Sequence, residues 1–563
     1  MKKLLLAALW LTGGCVLAQS QPNLGQISGN FQTIAQYYLR DTLIDPAGEA
    51  FPDEGLLGTG FLNLTYTRGD FRAGVRYENY QNNRVGLPVG YEGQGITYRY
   101  ARFMGDQFDI TAGNFYEQFG SGLILRAYEE RGLGLDNNLD GVRLIFRPAE
   151  GITLKGVLGR QRNYFDVSSS IVRGFDADWS LKRNLGWEGP NNLIIGAGIV
   201  SKYQDFDSPT YNVPNNVASG ALRVNFITPT LNLSGEYAYK ANDPSGDNFF
   251  IFKPGHAFYF TGSYAKGNFG AILNAKYYDN FSWRSEPVTD PQQLLIGYLP
   301  SATTLHTYAL PALYAYNTVL SGEQGAQLEL SYKFPRKSFF GGKYGTLIRG
   351  SLASSYSLNK DYITRETPEG RTTISGTDGY TTNFGLGPYQ YFQDFHFSIK
   401  KKLNKKLRLT GTYYNFYFNE DALRKGVAGT GDYLLDTSNA EVVDYNINAV
   451  VLDFLWKVKS RHSLRAELQG LWTEGDRGDW GLLLLEYSIA PKWFFAVQDA
   501  YNYGNADPDL RIHYLSVNAG YTMGSTRLQL GYGRQQEGVF CVGGICRVVP
   551  ASNGFTLTVT SNF

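Results

Sequence analysis

The sequence has few cysteines and histidines, no excess of either charge and no long apolar run beyond its N-terminus. Its 563 residues include 3 Cys and 5 His, with 52 Lys and Arg against 51 Asp and Glu. The charge balance gives no reason to expect nucleic acid as a partner. Because no later run of about 18 apolar residues occurs, we predict no transmembrane helix. None of the histidines stands in a spacing typical of a hydrolase or a metal site.

Two of the three cysteines lie close together near the C-terminus. Cys541 and Cys546 flank Gly543–Gly544, and Gly-Gly suits the two central positions of a β-hairpin turn. A disulfide bond across that hairpin is sterically plausible in an exported protein. A metal pair is the alternative, and it is disfavoured because no other cysteine or histidine lies nearby in sequence. We predict the disulfide bond and no metal or cofactor site.

The N-terminus has the three parts of a secretory signal peptide. A basic start and an apolar stretch are followed by small residues up to residue 18. This pattern predicts that residues 1–18 are removed and that residues 19–563 form the mature chain. A lipoprotein signal ending at Cys15 is the weaker alternative, because Thr12 stands where a lipobox usually has leucine.

Glycine and aromatic residues are abundant, with 65 Gly, 41 Tyr and 35 Phe. Glycine relieves crowding in curved sheets, and Tyr and Phe populate the interface girdles of membrane barrels. The mature chain divides into about 24 segments in which apolar and polar residues alternate with a period of two, and 22 or 26 segments are also compatible with the pattern. Such alternation is typical of strands that separate two different environments.

Tight and long connectors alternate between these segments. The tight turns are Arg68–Asp70, Gly105–Gln107, Lys266–Asn268 and Gly524–Thr526, and long polar stretches separate them. Outer-membrane barrels place short turns in the periplasm and long loops outside the cell. The sequence therefore predicts an all-β protein, a single large antiparallel transmembrane β-barrel in the lipid of the bacterial outer membrane.

The last predicted strand ends on an aromatic residue. Its apolar face carries Phe555, Leu557, Val559 and Phe563, and the other face carries hydroxyl and amide side chains. A strand between lipid and a wet lumen has this pattern. The strand resembles the C-terminal signal of bacterial outer-membrane β-barrels, which implies the barrel assembly machinery as a partner during biogenesis.

Charged residues alternate onto the predicted inner face in the first third of the barrel. They are Arg72, Arg76, Glu78, Arg99, Arg143 and Lys155. One interpretation is a strip that prefers anions, and the favoured one is a mixed wall braced by internal ion pairs. His396 shares a strand face with Asp394, and there too a polar lumen wall is favoured over a reactive pair.

Two predicted loops are too apolar to be simply solvated. Residues 281–322 contain apolar and aromatic stretches at residues 294–300 and 308–316, and residues 117–138 contain another at residues 119–125. Apolar surface of this extent should be buried. We expect both loops to fold into the lumen as a constriction. A cap over the mouth and a docking surface for a partner are the alternatives.

Three segments carry a family resemblance. Residues 113–123 read GNFYEQFGSGL, residues 128–131 read YEER and residues 305–308 read LHTY. They resemble an outer-membrane barrel family of Bacteroidota that carries only an unknown-function label, and the resemblance covers essentially the mature chain. It implies the location and the fold, and it implies no substrate and no catalytic residues.

The function predicted from these patterns is a porin-like channel for small solutes, narrowed by loops 281–322 and 117–138, and not an enzyme. One alternative is a non-conducting barrel that acts as a scaffold or subunit of a larger envelope complex. A weaker one is an outer-membrane hydrolase whose serine, histidine and acid come from different strands and leave no local signature. The pattern identifies no transported solute and no oligomeric state.

Overall fold

The computed structural model describes residues 24–563, apart from residues 82–84, 185, 187, 291–292, 364, 368–369, 373–374, 426–442 and 543–544. The predicted signal peptide, residues 1–18, and the predicted hairpin tip, Gly543–Gly544, lie outside the described residues.

The described chain is dominated by one antiparallel sheet of 25 strands, of which one is the two-residue strand Asp166–Val167. The other 24 form the barrel. In chain order they are β1 (Gln26–Tyr38), β2 (Leu56–Arg68), β3 (Phe71–Gln81), β4 (Gly93–Met104), β5 (Phe108–Phe115), β6 (Leu139–Phe146), β7 (Ile152–Asn163), β8 (Ile171–Ser180), β9 (Asn192–Tyr203), β10 (Asn216–Ile227), β11 (Leu231–Lys240), β12 (Gly255–Lys266), β13 (Phe269–Asp279), β14 (Gly322–Phe334), β15 (Thr346–Tyr362), β16 (Tyr380–Lys402), β17 (Leu407–Asn419), β18 (Asp444–Lys459), β19 (His462–Thr473), β20 (Trp480–Ile489), β21 (Trp493–Tyr501), β22 (His513–Met523), β23 (Thr526–Gln535) and β24 (Ser552–Asn562).

The sheet closes because its first strand pairs with its last. β1 runs antiparallel to both β2 and β24, with Tyr37 opposite Phe555 and Asn30 opposite Asn562. Phe563 continues this ladder by exchanging backbone hydrogen bonds with Gly29 at 2.9 and 2.7 Å. A closed sheet has no free edge, so every strand finds partners on both sides. The predicted barrel of 24 antiparallel strands is confirmed.

Side chains alternate between an apolar outer face and a more polar inner face. On β3, Phe71 and Tyr77 point outward and are 41% and 39% exposed, whereas Arg76 and Glu78 point inward and are buried. The last strand follows the same rule. Successive side chains of a strand point to opposite faces, so an outward apolar belt arises wherever the period-two pattern is kept. Such a belt around a closed sheet is stable in lipid.

Short turns and long loops alternate around the barrel, as predicted. The periplasmic end carries tight turns such as residues 69–70, 267–268 and 524–525. The extracellular end carries the long connections, among them residues 116–138 and 280–321. The long loops at the extracellular end can therefore fold into the lumen and narrow it.

The remaining elements are short. The helical turns are Val89–Tyr91, Leu181–Asn184, Gly246–Asn248, Pro311–Tyr314, Asp421–Lys425 and Pro508–Leu510. The small hairpins pair Glu129–Glu130 with Leu135–Asp136, Arg365–Thr367 with Gly370–Thr372, and Gly538–Val542 with Ile545–Val549. Among the described residues, no helix is long and apolar enough to cross a membrane.

Candidate functional site in the barrel lumen

The connection between β5 and β6, residues 116–138, folds into the barrel and is called the first loop below. Its side chains Phe119, Leu123 and Ile124 are fully buried. They pack against small side chains on the inner faces of β7 to β12, which are Val157, Val172, Val200, Val217, Ala221, Ala238 and Ala257. This contact is called the first docking zone.

The connection between β13 and β14, residues 280–321, is called the long loop. Its first part contributes Phe281, Trp283 and Ile296 to the first docking zone, and all three are buried. The side chains that made this loop look too apolar for a solvated one therefore lie against the inner wall. In the first docking zone two loop layers share the same stretch of wall.

Backbone and aromatic contacts join the two loops. The Arg126 N–H donates to the Ile296 carbonyl at 2.8 Å, and the Tyr298 N–H donates to the Gly122 carbonyl at 2.9 Å. The Arg126 guanidinium carbon lies 4.4 Å from the ring centre of Tyr128 and 3.9 Å from that of Tyr298. A cation between two aromatic faces is attracted by both. The two loops are therefore connected to each other as well as to the wall.

The later part of the long loop, residues 308–319, packs against a different part of the wall. Leu310, Tyr314 and Tyr316 are buried there. Their partners on β16, β17 and β20 are large: Tyr391, Phe392, Tyr414, Phe416, Phe418 and Trp480. The Leu310 N–H also donates to the Gln469 side-chain carbonyl at 2.9 Å. This contact is called the second docking zone.

The predicted disulfide bond joins Cys541 and Cys546, which face each other in the short hairpin before β24. The hairpin lies on the two loops. Val542 and Ile545 pack on an apolar cluster made of Leu133, Leu135 and Leu295. Arg547 donates to a carbonyl of the first loop at 2.7 Å. The disulfide bond therefore links the two strands of a hairpin that packs on the two loops.

Two arginines of the wall hold the first loop through its carboxylates. Arg162 lies 2.7 Å from both Glu78 and Asp136. Arg76 lies 3.0 Å from Glu129 and 3.2 Å from Asp136. Glu129 and Asp136 belong to the first loop, whereas the other three residues belong to strands. The ion pairs therefore cross from the wall to the loop.

A second set of ion pairs lies nearer the base of the first loop. Glu117 of that loop accepts from Lys155 at 2.9 Å and lies 3.4 Å from Arg143. Arg143 also bonds to Asp109 of β5 at 2.9 Å, and Arg102 bonds to the same carboxylate. The candidate lumen residues Arg143 and Lys155 are thus brought together by one loop carboxylate.

The other two candidate lumen residues are placed differently. Arg72 lies on the inner face, is exposed, and forms no ion pair within the described part of the chain. Arg99 shares the lipid-facing side of β4 with Phe103 and pairs with Asp140 at 3.0 Å. The register between β3 and β4 shifts at Thr97, because a bulge there adds one residue to β4. Plain alternation from Ile96 puts Arg99 inside, and the bulge puts it outside.

A cavity of about 310 Å³ lies between the first loop and the wall formed by β2 to β6. Its lining includes four arginines and no acidic residue; the arginines are Arg72, Arg76, Arg102 and Arg143. Tyr116 of the first loop also lines it, and burial raises the pKa of this phenol well above its usual range. The Tyr116 hydroxyl therefore stays protonated and donates to Asp136 at 3.0 Å.

A histidine from the long loop meets the His396 and Asp394 pair on β16. His306 Nε2 lies 2.8 Å from Asp394 Oδ2, and His396 Nδ1 lies 3.1 Å from Asp394 Oδ1. The sequence placed His396 and Asp394 on one face, but His306 is 88 residues away from Asp394. Two imidazoles and a carboxylate are side chains that could hold a metal ion.

The histidines show no arrangement for nucleophilic catalysis within the described residues. The side chains hydrogen-bonded to histidine rings there are Asp394, Asp499, Tyr237 and Tyr487. No serine, threonine or cysteine is among them, and a hydrolase of the serine or cysteine type needs such a nucleophile within reach of its base.

A closed barrel with an apolar belt and a lumen filled by its own loops defines a β-barrel protein of the bacterial outer membrane. The chain belongs to the family of unknown function DUF6029, which it matches over residues 1–563. The resemblance to an unknown-function family is confirmed, and its Bacteroidota origin stays a prediction. No curated protein matches the chain.

Several solved structures are similar to the chain. The siderophore receptor PirA from Pseudomonas aeruginosa is 9% identical with a TM-score of 0.41, over 96% of this chain and 81% of that one. The P pilus usher PapC translocation pore is 9% identical with a TM-score of 0.41, over 95% and 99%. The outer membrane protein opdK from Pseudomonas aeruginosa is 11% identical with a TM-score of 0.34, over 96% and 98%. The pairing of the strands defines the closed barrel without these similarities.

Proposed function

We propose that the protein is an outer-membrane channel for small solutes whose bore is set by the first loop and the long loop. The observation that supports this is the burial of large loop side chains against the inner wall. Phe119, Trp283 and Tyr314 are each at most 2% exposed. Loops that are held in this way form a fixed constriction, as a channel with size selection requires.

The cavity beneath the first loop is the part of the lumen that we assign to the permeating solute. Three of its arginines, Arg76, Arg102 and Arg143, are bonded to carboxylates, whereas Arg72 has no such ion pair among the described residues. The candidate lumen charges are thus largely compensated. We therefore expect a solute that is small and polar, with a weak preference for anions that depends on Arg72.

The second candidate function is a docking scaffold, which the apolar side chains of the loops would favour if they were exposed. Leu294 and Ile296 are fully buried, and Leu310 is 2% exposed. These apolar side chains are covered by the barrel, whereas Val288 and Leu305 of the long loop are exposed. We also propose that Phe555, Leu557, Val559 and Phe563, on the outward face of β24, are the signal that the assembly machinery recognises.

Conductance in a planar lipid bilayer tests the channel proposal. The full-length protein should give discrete steps, and a variant that lacks residues 284–318 should give steps several-fold larger. The matched control shortens residues 205–212, most of which are exposed, and it should conduct like the parent. The heat-dependent shift of a folded barrel in gel electrophoresis verifies that each variant has folded. A folded deletion variant that stays silent contradicts the proposal.

A further inference from the structure

A group of side chains that the channel proposal does not use lies beside the second docking zone, next to Phe416. His306 and His396 approach Asp394 from two elements, one from the long loop and one from β16 itself. The Asp394 side chain is fully buried, and those of His306 and His396 are 6% and 13% exposed. A carboxylate taken out of water needs strong partners. Here two imidazoles, one on each oxygen, are those partners.

We infer that His306, Asp394 and His396 form a binding site for a first-row divalent transition metal ion, for which Zn²⁺ is the probe. Zinc takes nitrogen and carboxylate oxygen ligands at about 2.0–2.2 Å, so neighbouring ligand atoms lie roughly 3 Å apart. The nitrogen–oxygen distances here are 2.8 and 3.1 Å. All three ligand atoms lie within 4.8 Å of one another. A metal ion would replace the two shared protons, and each neutral imidazole would then carry its proton on its other nitrogen.

A second group of three acids shows why this group differs. Glu78, Glu129 and Asp136 also lie close enough together to bind a cation. Arg76 and Arg162 already occupy those carboxylates at 2.7–3.3 Å. The positive charge at that site is supplied by the protein itself.

Asp394 has no such competitor. Among the described residues, its ion-pair partners are His306 and His396, and no lysine or arginine pairs with it. Imidazole nitrogen suits zinc, copper, iron and nickel, whereas Ca²⁺ and Mg²⁺ prefer oxygen ligands. The ligand set therefore favours a transition metal.

Aromatic rings hold His306 in place. Its ring centre lies 5.0 Å from that of Tyr414 and 5.3 Å from that of Phe416. An apolar shell of this kind limits the access of solvent to a metal site. The neighbours of His306 in sequence, Leu305 and Thr307, are exposed. The site can therefore be reached from water on one side, and three protein ligands leave a coordination position for water.

The metal would connect the long loop to the wall. His306 is a residue of the loop, whereas Asp394 and His396 belong to β16. A bound ion stabilises the conformation that presents all of its ligands, so metal would hold the middle of the long loop against β16. This site is independent of the channel proposal, since metal binding can be measured on a barrel that does not conduct.

Titration of the purified, EDTA-treated full-length protein tests the inference. Calorimetry with ZnCl₂ should show one saturable site per chain, and Co²⁺ should give the visible absorption of a low-coordinate site. His306→Gln and Asp394→Asn should each weaken Zn²⁺ binding at least about tenfold. His462→Gln and His513→Gln, which alter histidines outside the group, should bind like the parent.

The outcomes separate the parts of the inference. Absence of saturable binding, or binding that is unchanged in a folded His306→Gln variant, overturns the site. Hydrogen exchange of the segment around His306 tests the connection to the wall, because Zn²⁺ should slow it in the parent and leave it unchanged in His306→Gln. Site-specific binding without slower exchange overturns the proposed connection and keeps the site.

Discussion

The two docking zones solve the same packing problem with opposite distributions of side-chain size. In the first zone the loops supply large side chains such as Trp283, and the buried apolar side chains of the wall on β7 to β12 are valine and alanine. In the second zone the wall supplies Phe392, Phe416 and Trp480, and less of the loop is present. The difference shows that wall and loops share one volume. Where two loop layers fit, β7 to β12 carry small apolar side chains, and where one layer fits, β16, β17 and β20 carry aromatic side chains beside smaller ones.

The two zones also differ in whether the wall or the loop supplies the carboxylate of the charged contacts. In the first zone, arginines of the wall bind carboxylates of the first loop, as in the pair of Arg162 and Asp136 at 2.7 Å. In the second zone, a wall carboxylate, Asp394, binds a loop histidine. In the first arrangement, carboxylates of the protein itself compensate the charge of the arginines. The second has a buried carboxylate that two imidazole rings contact, the group proposed above to bind a metal ion.

Removing an aromatic ring from the wall of the second zone should have the largest effect. Phe416 is fully buried, so Phe416→Ala leaves a cavity that a single loop layer cannot fill. We expect a loss of about 3–5 kcal/mol in the free energy of unfolding, measured by urea denaturation in detergent. Phe495→Ala, at a lipid-facing position that is 40% exposed, is the control and should cost less. Equal losses at both positions would contradict the comparison.

Enlarging a small wall residue in the first zone should destabilise the protein moderately. The cause is overpacking, whereas the cause in the second zone is a cavity. Ala238 is fully buried and faces Ala257 across the strand pair. Ala238→Leu overpacks the zone, and we expect a cost of about 1–3 kcal/mol in the same measurement. Ala197→Leu, on the exposed outer face of β9, is the matched control. An Ala238→Leu variant as stable as the parent would show that the zone has spare volume.

The barrel could be predicted from the sequence because its signals are local. Period-two alternation and connector length are properties of neighbouring residues, and both survive in the structure. A bulge is not visible in that pattern, since one added residue at Thr97 reverses the face of Arg99 without changing the composition of the strand. No single residue of the strand reveals such a shift in register.

The contents of the lumen could be predicted only in part. The apolar stretches of the two loops indicated burial, because such surface is unstable in water. The partners of the loops were not predictable, since they depend on how the chain crosses the lumen. His306 meets Asp394 only because residues 280–321 return to the wall at β16. No local spacing indicates such a contact.

The smallest difference that we predict between the two zones is their response to low pH. An ion pair outside the strands supports each zone: Arg284 with Asp247 beside the first, and Arg424 with Asp476 beside the second. Burial alone would raise the pKa of both carboxyls. The arginine beside each outweighs it and holds the pKa of Asp247 and of Asp476 below the usual value.

A lowered pKa fixes the direction of the pH effect. An aspartate that binds protons less readily when folded stabilises the fold above its unfolded pKa of 3.8, and it loses that contribution as the pH falls through the lower folded value. Both ion pairs should therefore be intact at pH 7 and weaken below about pH 4.

Hydrogen exchange of residues 281–290 and 310–319, corrected for the intrinsic rate at each pH, should report the opening of each zone separately. Asp247→Asn should remove the acid response of the first segment only, and Asp476→Asn that of the second only. A joint loss in either variant would show that the two zones open as one unit, because the layer of loops transmits the change between them.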